Sequence, residues 1–269
     1  MIGFAETFGG TLASFIIPAF VGILIVSAAA KYLKARYLAA FAIGIYLWFF
    51  TDTIGDASFL GVDEGFTGGG FHALLWLLFA VGLILVFAFD KDMFTSGPAG
   101  AKFGFAIPLL VAVAVGIHGF GEGAAIGSTA ATTPSTNLVD AFGGITAGAA
   151  FVLHKTLEPM MVGAAYWIYA KDRAKTSSAL LRDISIMVAA FTLPGIIGSA
   201  SAYFIVQIYP NADFTYVFAL GLGTSVYAIA RLARPLYENS VSSKSESIKM
   251  GLLILVGFTC LYVAALLHS

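Results

Sequence analysis

The sequence has few charged side chains and a single cysteine. Asp, Glu, Lys and Arg make up 11% of its 269 residues, against about 25% in a soluble domain. So few charges cannot cover a globular surface, which excludes a soluble enzyme and a disordered linker. The net charge of −1 provides no basic surface for nucleic acid. The lone Cys260 excludes an internal disulfide and a multi-cysteine zinc module.

The hydrophobic residues, 59% of the chain, form eight runs long enough to cross a bilayer, which takes roughly 20 residues. The first run lacks the preceding Lys or Arg of a signal peptide, so we expect a retained helix. We predict an all-α integral membrane protein, with residues 1–269 in one polytopic domain and no soluble domain. The predicted spans are 9–30, 37–56, 70–89, 103–128, 141–169, 184–208, 214–232 and 248–267.

The basic residues are sorted between the two sides of this eight-span arrangement. All but one of the 14 Lys and Arg residues fall in, or at the edges of, the connections on one side. The positive-inside rule makes that side cytoplasmic. The opposite loops carry only acids among their charged residues. We therefore predict both termini outside, with the plasma membrane as the location. The exception is Lys155, in the middle of the fifth span.

The fourth and fifth spans both contain the pattern His-x-x-x-Glu, as His118 with Glu122 and as His154 with Glu158. Residues four apart share one helix face. Because the two spans run antiparallel, we expect the histidines to face each other, with Glu122 one turn outward and Glu158 one turn inward. Two imidazoles and two carboxylates suit Zn²⁺ or another first-row divalent ion. The alternative is a polar network, with Lys155 paired to Glu158, that only locks the helices together.

At these residues the sequence resembles the ZIP family of divalent metal transporters (Zrt/Irt-like proteins). The family's fourth helix typically reads His-Asn-x-Pro-Glu-Gly, and here the run from His118 to Gly123 is HGFGEG. Its fifth helix carries His-x-x-x-Glu, matched here by His154 to Glu158. The resemblance implies an eight-helix bundle with an inverted 3+2+3 arrangement and external termini. It also implies movement of the metal-bearing helices and a homodimer.

Many family members hold a second metal, and this sequence departs from them at those positions. The corresponding residues are Gly119, Lys155 and, in the sixth span, an apolar Leu193. We therefore expect one metal per site, with the Lys155 ammonium as the surrogate for the second ion. The family's His-rich cytoplasmic loop is also missing.

Two further predictions concern acids at the ends of spans. Asp52 and Asp56, at the outer end of the second span, are expected to attract cations at the entrance. Asp90 and Asp92, at the cytoplasmic end of the third span, are expected to form a solvated cap.

The leading interpretation is therefore transport toward the cytoplasm of a divalent cation, zinc first, with Fe, Mn, Co and Cd also suited to the ligands. The ion is cargo and not a cofactor, no residue is assigned as catalytic, and the partners are the bilayer and the metal ion. One alternative is an intramembrane metal-dependent hydrolase, but the sequence offers the site neither a third histidine nor an HExxH motif. The other is a retinal protein that uses Lys155; the three spans after Lys155, and glycines instead of aromatic residues around it, disfavour that interpretation.

Overall fold

The computed structural model describes residues 2–30, 32–57, 69–90, 104–134, 137–170, 173, 175–212, 214–238 and 244–266. Within them the chain is helical, and the predicted all-α class is confirmed. Eight helices have at least 21 residues, and α5 is a single short turn. The helices are α1 (Phe4–Ala29), α2 (Ala35–Ala57), α3 (Gly69–Phe89), α4 (Ala106–Thr132), α5 (Leu138–Ala141), α6 (Ile145–Ala170), α7 (Ser177–Ile208), α8 (Thr215–Glu238) and α9 (Lys244–Leu266).

Five helical segments in the described residues are long and apolar enough to cross a membrane. They are Phe4–Ala29, Ala106–Thr132, Ser177–Ile208, Tyr216–Ala233 and Lys244–Ala264. Helices α2 and α3 contain shorter apolar segments, Arg36–Thr51 and Ala73–Phe89. The protein is therefore membrane-embedded. The count of eight spans and their 3+2+3 arrangement stay predictions.

The predicted helix limits differ from the structure where polar or glycine residues decide them. Helix α7 begins well before the predicted start at 184, because the Thr176 side chain caps it by accepting a hydrogen bond from the Ala179 amide at 3.3 Å. The predicted span 141–169 is interrupted at its start by Gly143 and Gly144, whose φ angles are 79° and 100°. These left-handed conformations, which glycine adopts readily, separate α5 from α6.

The long helices form two groups. In one group α4 packs along α7, and α1 packs on α6 and α7. In the other, α2 pairs with α9 and with α8, and α8 pairs with α3. The groups meet where α8 contacts α4 and where α2 contacts α6. The motifs singled out in the sequence lie on α4 and α6, so the junction between the groups runs past them.

Small residues bring α4 and α7 into backbone contact. A Cβ atom added at Gly123 would collide with the Gly195 carbonyl, and one added at Gly127 would collide with the Ser199 carbonyl. Such close approach is typical of small residues four apart in membrane helices. These contacts fix the position of α4, and therefore of its His118–Glu122 motif, along the axis of α7.

The prediction of a solvated cap is wrong for Asp90, and Asp92 lies outside the described residues. The Asp90 side chain is 5% exposed and receives the Arg231 guanidinium, whose Nη2 lies 2.6 Å from Asp90 Oδ1. The Tyr227 hydroxyl donates to Asp90 Oδ2 at 2.7 Å. These contacts join the ends of α3 and α8. The prediction failed because Arg231 lies 141 residues further along the chain, so nothing local in the sequence reveals the pair.

A second ionic contact joins α6 and α7. Lys175, between the two helices, forms an ion pair with Asp183, which also accepts a hydrogen bond from the Tyr166 hydroxyl at 3.2 Å. Partial burial lowers the pKa of Lys175, but the hydrogen bonds to Asp183 and Tyr169 and the attraction of the Asp183 carboxylate together outweigh it, so the pKa is raised. The Lys175 ammonium therefore stays charged at neutral pH.

Candidate metal centre on α4 and α6

The structure brings all five polar side chains of the two motifs together. Helix α4 supplies His118 and Glu122, while α6 supplies His154, Lys155 and Glu158. On each helix the histidine and glutamate are four residues apart and therefore lie on one face. His118 Nε2 lies 3.8 Å from Glu122 Oε1, and His154 Nε2 lies 2.9 Å from Glu158 Oε1.

The Lys155 ammonium lies between the two carboxylates. Its Nζ is 2.5 Å from Glu158 Oε2 and forms an ion pair with Glu122 Oε2. The contact with Glu158 agrees with the pairing considered from the sequence. The contact with Glu122 joins the two helices. Glu122 was expected one turn outward from the histidines and Glu158 one turn inward, yet both carboxylates contact the same ammonium.

Three of the predicted ligands are close enough to share one ion. His118, Glu122 and Glu158 each offer a ligand atom, and these atoms lie within 4.8 Å of one another. His154 is not in this set, although its Nε2 is also 3.8 Å from Glu122 Oε1. In the arrangement described, His154 Nε2 donates to Glu158. It would have to give up that hydrogen bond before it could bind a metal.

The site is buried among ionised groups and aromatic rings. Lys155 and Glu158 are fully buried, and the Glu122 side chain is 15% exposed. The Lys155 Nζ also lies 5.3 Å from the centroid of the Phe15 ring and 5.8 Å from that of Phe151. The expectation of glycines instead of aromatic residues around the lysine is therefore wrong. The argument against a retinal protein from the residues around Lys155 is therefore lost. The argument from the three spans that follow Lys155 is unaffected.

On α7, the residue that faces the lysine is not the one expected. Leu193 is 51% exposed and points away from the site. Phe191 is buried, and its ring centroid lies 5.6 Å from Lys155 Nζ. The α7 side of the site is therefore aromatic, and Phe191 takes the place expected for Leu193.

Two further phenylalanines enclose the site from the other helix group. The Phe49 ring of α2 lies edge-on to the His118 imidazole, with centroids 4.3 Å apart. The Phe218 ring of α8 lies 5.2 Å from the same imidazole. Sequence reasoning missed both residues, because a phenylalanine in an apolar span has no local feature that marks it as facing a histidine. They restrict how the His118 ring can turn.

The two acids predicted at the entrance cannot be placed relative to this site. Asp52 and Asp56 belong to the last part of α2, but their side chains lie outside the described residues. Their role as entrance residues stays a prediction.

The chain was compared with known proteins by sequence. None of the protein-family models matches it, and the comparison with curated proteins found no match.

Proposed function

We propose that the protein carries a divalent metal ion, zinc first, across the membrane toward the cytoplasm. One observation supports this most directly: the ligand atoms of His118, Glu122 and Glu158 lie within 4.8 Å of one another, between two helices of a membrane-embedded bundle. Intramembrane carboxylates are costly and usually mark an ion pathway. The likeness of both motifs to those of ZIP transporters points the same way.

The ion would enter by exchange with the Lys155 ammonium. Glu122 and Glu158 together carry two negative charges, and the tethered ammonium balances one of them. A divalent ion offers a stronger attraction at the same oxygens. Lys155 must then move away, because its charge would repel the ion. His154 would bind once its hydrogen bond to Glu158 is released. We expect one metal per site, since the ammonium remains nearby as the second positive group.

The finer topology belongs to the same proposal. Eight spans with both termini outside follow from the distribution of basic residues, and the inverted 3+2+3 arrangement follows from the family resemblance. We place the protein in the plasma membrane. The homodimer rests on that resemblance alone. The ion is the cargo, and the proposal assigns no enzyme activity.

Uptake of divalent ions into proteoliposomes tests the proposal. The wild-type protein should take up at least one ion from a panel of Zn, Fe, Mn, Co and Cd. Glu158→Gln replaces the anionic carboxylate by a neutral amide, and His118→Ala removes a ligand nitrogen, so uptake should fall by more than the roughly 10–100-fold loss typical of residues that only support a ligand.

Glu6→Gln is the matched control, since it neutralises an exposed carboxylate in the first turn of α1. Its uptake should equal that of the wild type. The proposal fails when the wild type transports none of the ions, and the ligand assignment fails when Glu158→Gln transports normally.

The predicted orientation can be tested at the two ends of α7. Cysteines can be placed at Ser178, in the first turn of this 32-residue helix, and at Asn211, beyond its last residue, in a Cys260→Ser background; both positions are exposed. An impermeant thiol reagent added to intact cells should label the cysteine at 211 and spare the one at 178. Labelling of 178 alone would reverse the orientation, and labelling of both would show that α7 does not cross the membrane.

A further inference from the structure

Helices α2 and α8 form one wall of the site, and the side chains on this wall differ between its outer and inner halves. Toward the predicted outer side it presents Phe49 and Phe218, whose rings contact His118. One turn further inward on α2 lies Tyr46, which is fully buried and packs edge-on against Phe49 at 5.4 Å. This half of the wall therefore carries a hydroxyl group where the outer half carries only rings.

The Tyr46 hydroxyl makes no hydrogen bond among the residues that the structure describes. The neighbouring Ser225 hydroxyl donates its hydrogen to the Gly221 carbonyl at 2.7 Å, so that hydrogen is not available to the Tyr46 oxygen. Buried polar groups are nearly always paired, so an unpaired one needs an explanation. A phenylalanine would fill the same space without leaving a polar atom unpaired. A second state of the site, in which the Tyr46 hydroxyl forms a hydrogen bond, would explain why a tyrosine stands at this position.

The proposed ion-bound state provides such a partner. Tyr46 packs against Phe49, whose ring contacts the His118 imidazole, and Glu158 is among the charged groups that act on the Tyr46 hydroxyl. Without an ion, Oε1 of Glu158 accepts from His154 and Oε2 pairs with Lys155. A transition-metal ion held by three or four protein ligands commonly keeps a water molecule in a remaining position. A water bound to a divalent ion is a strong donor and requires an acceptor in a buried site.

We propose that the Tyr46 hydroxyl accepts a hydrogen bond from a water molecule that the transported ion keeps on the side facing α2. This rests on the proposed function of the site. Tyr46 is then a positioning residue, which acts on the ion through the water. The α4 and α6 group supplies the ligands, and the α2 and α8 group supplies the contact that holds the hydrated side of the ion.

Tyr46→Phe isolates this role, because it removes the hydroxyl and keeps the ring. Calorimetry with Zn²⁺ should show an affinity weaker on the order of 10-fold, as for other groups that support a bound metal indirectly. The melting temperature without metal should be unchanged or higher, because the variant loses an unpaired buried polar atom.

Tyr227→Phe is the matched control. Its hydroxyl donates to Asp90 at 2.7 Å, away from the site. This variant should melt at a lower temperature than the wild type and bind Zn²⁺ equally well.

The outcomes separate the two levels of the proposal. Absence of Zn²⁺ binding by the wild type overturns zinc as the ion and this inference with it. Equal affinity in the wild type and Tyr46→Phe overturns the role of Tyr46 alone. So does a lower melting temperature with unchanged affinity, since that is the behaviour of a structural hydrogen bond.

Discussion

Lys155→Met should unfold more easily than the wild type by about 3–5 kcal/mol when no divalent ion is present. The substitution keeps much of the side-chain volume and removes only the positive charge. Glu122 and Glu158, which both contact the ammonium, are then left facing each other in a buried site. Removing one partner of a buried ion pair is costly because the charge of the other partner is no longer compensated.

The same variant should bind a divalent ion at least about tenfold more tightly than the wild type, since no tethered cation must be displaced first, and each tenfold corresponds to about 1.4 kcal/mol. Added ion should therefore restore much of the lost stability. A concentration 100 times the dissociation constant contributes about 2.7 kcal/mol. Thermal unfolding and calorimetry, each with and without Zn²⁺, measure both effects.

Lys155→Arg is the control, because it keeps a positive charge beside the two carboxylates. It should lose less stability than Lys155→Met and gain less affinity. Equal Zn²⁺ affinity in the wild type and Lys155→Met would show that the ammonium does not compete with the ion, leaving a static ion pair.

Arg231→Met should lower the free energy of unfolding by a similar amount, about 3–5 kcal/mol. It leaves the nearly buried Asp90 without its guanidinium, while the Tyr227 hydroxyl still donates to it. In this case added Zn²⁺ should stabilise the variant and the wild type equally and leave the difference between them unchanged, because the pair lies away from the candidate metal centre. Thermal unfolding of the purified protein provides the comparison.

Arg182→Met is the matched control for that experiment. The Arg182 side chain is 71% exposed and lies 3.2 Å from Asp183. Exposed ion pairs contribute little, so the change should stay within about 0.5 kcal/mol.

Adding Asp90→Leu to Arg231→Met should recover part of the lost stability, because it removes the carboxylate that Arg231 no longer compensates. If Arg231→Met unfolds like Arg182→Met, the buried pair contributes nothing to stability.

The sequence predicted those features that depend on residues close together in the chain. Apolar runs revealed the long helices, and the four-residue spacing placed His154 and Glu158 on one face. The contact between Lys155 and Glu158, three residues apart, follows from the same geometry. Helix limits were less well predicted, since Thr176 begins α7 in a polar segment that no apolar pattern includes.

The features that sequence reasoning missed depend on contacts between distant helices. The second carboxylate on Lys155, the Phe49 ring on His118 and the Arg231 guanidinium on Asp90 all join segments far apart in the chain. Phe191 was missed for a related reason. Which face of α7 meets the site depends on the backbone contact of Gly195 with Gly123, and not on hydropathy. Hydropathy alone does not distinguish Phe191 from the exposed Leu193.

The bridging position of Lys155 also bears on discrimination by ionic valence. Sodium or potassium carries the same charge as the ammonium, so its exchange for Lys155 leaves the electrostatic balance at Glu122 and Glu158 unchanged. The monovalent ion would also have to lose its hydration shell and its freedom of movement. A divalent ion adds one unit of charge beside two carboxylates, where the attraction is strengthened by burial. The abundant monovalent cations on both sides of the membrane are thus disfavoured before ligand geometry matters.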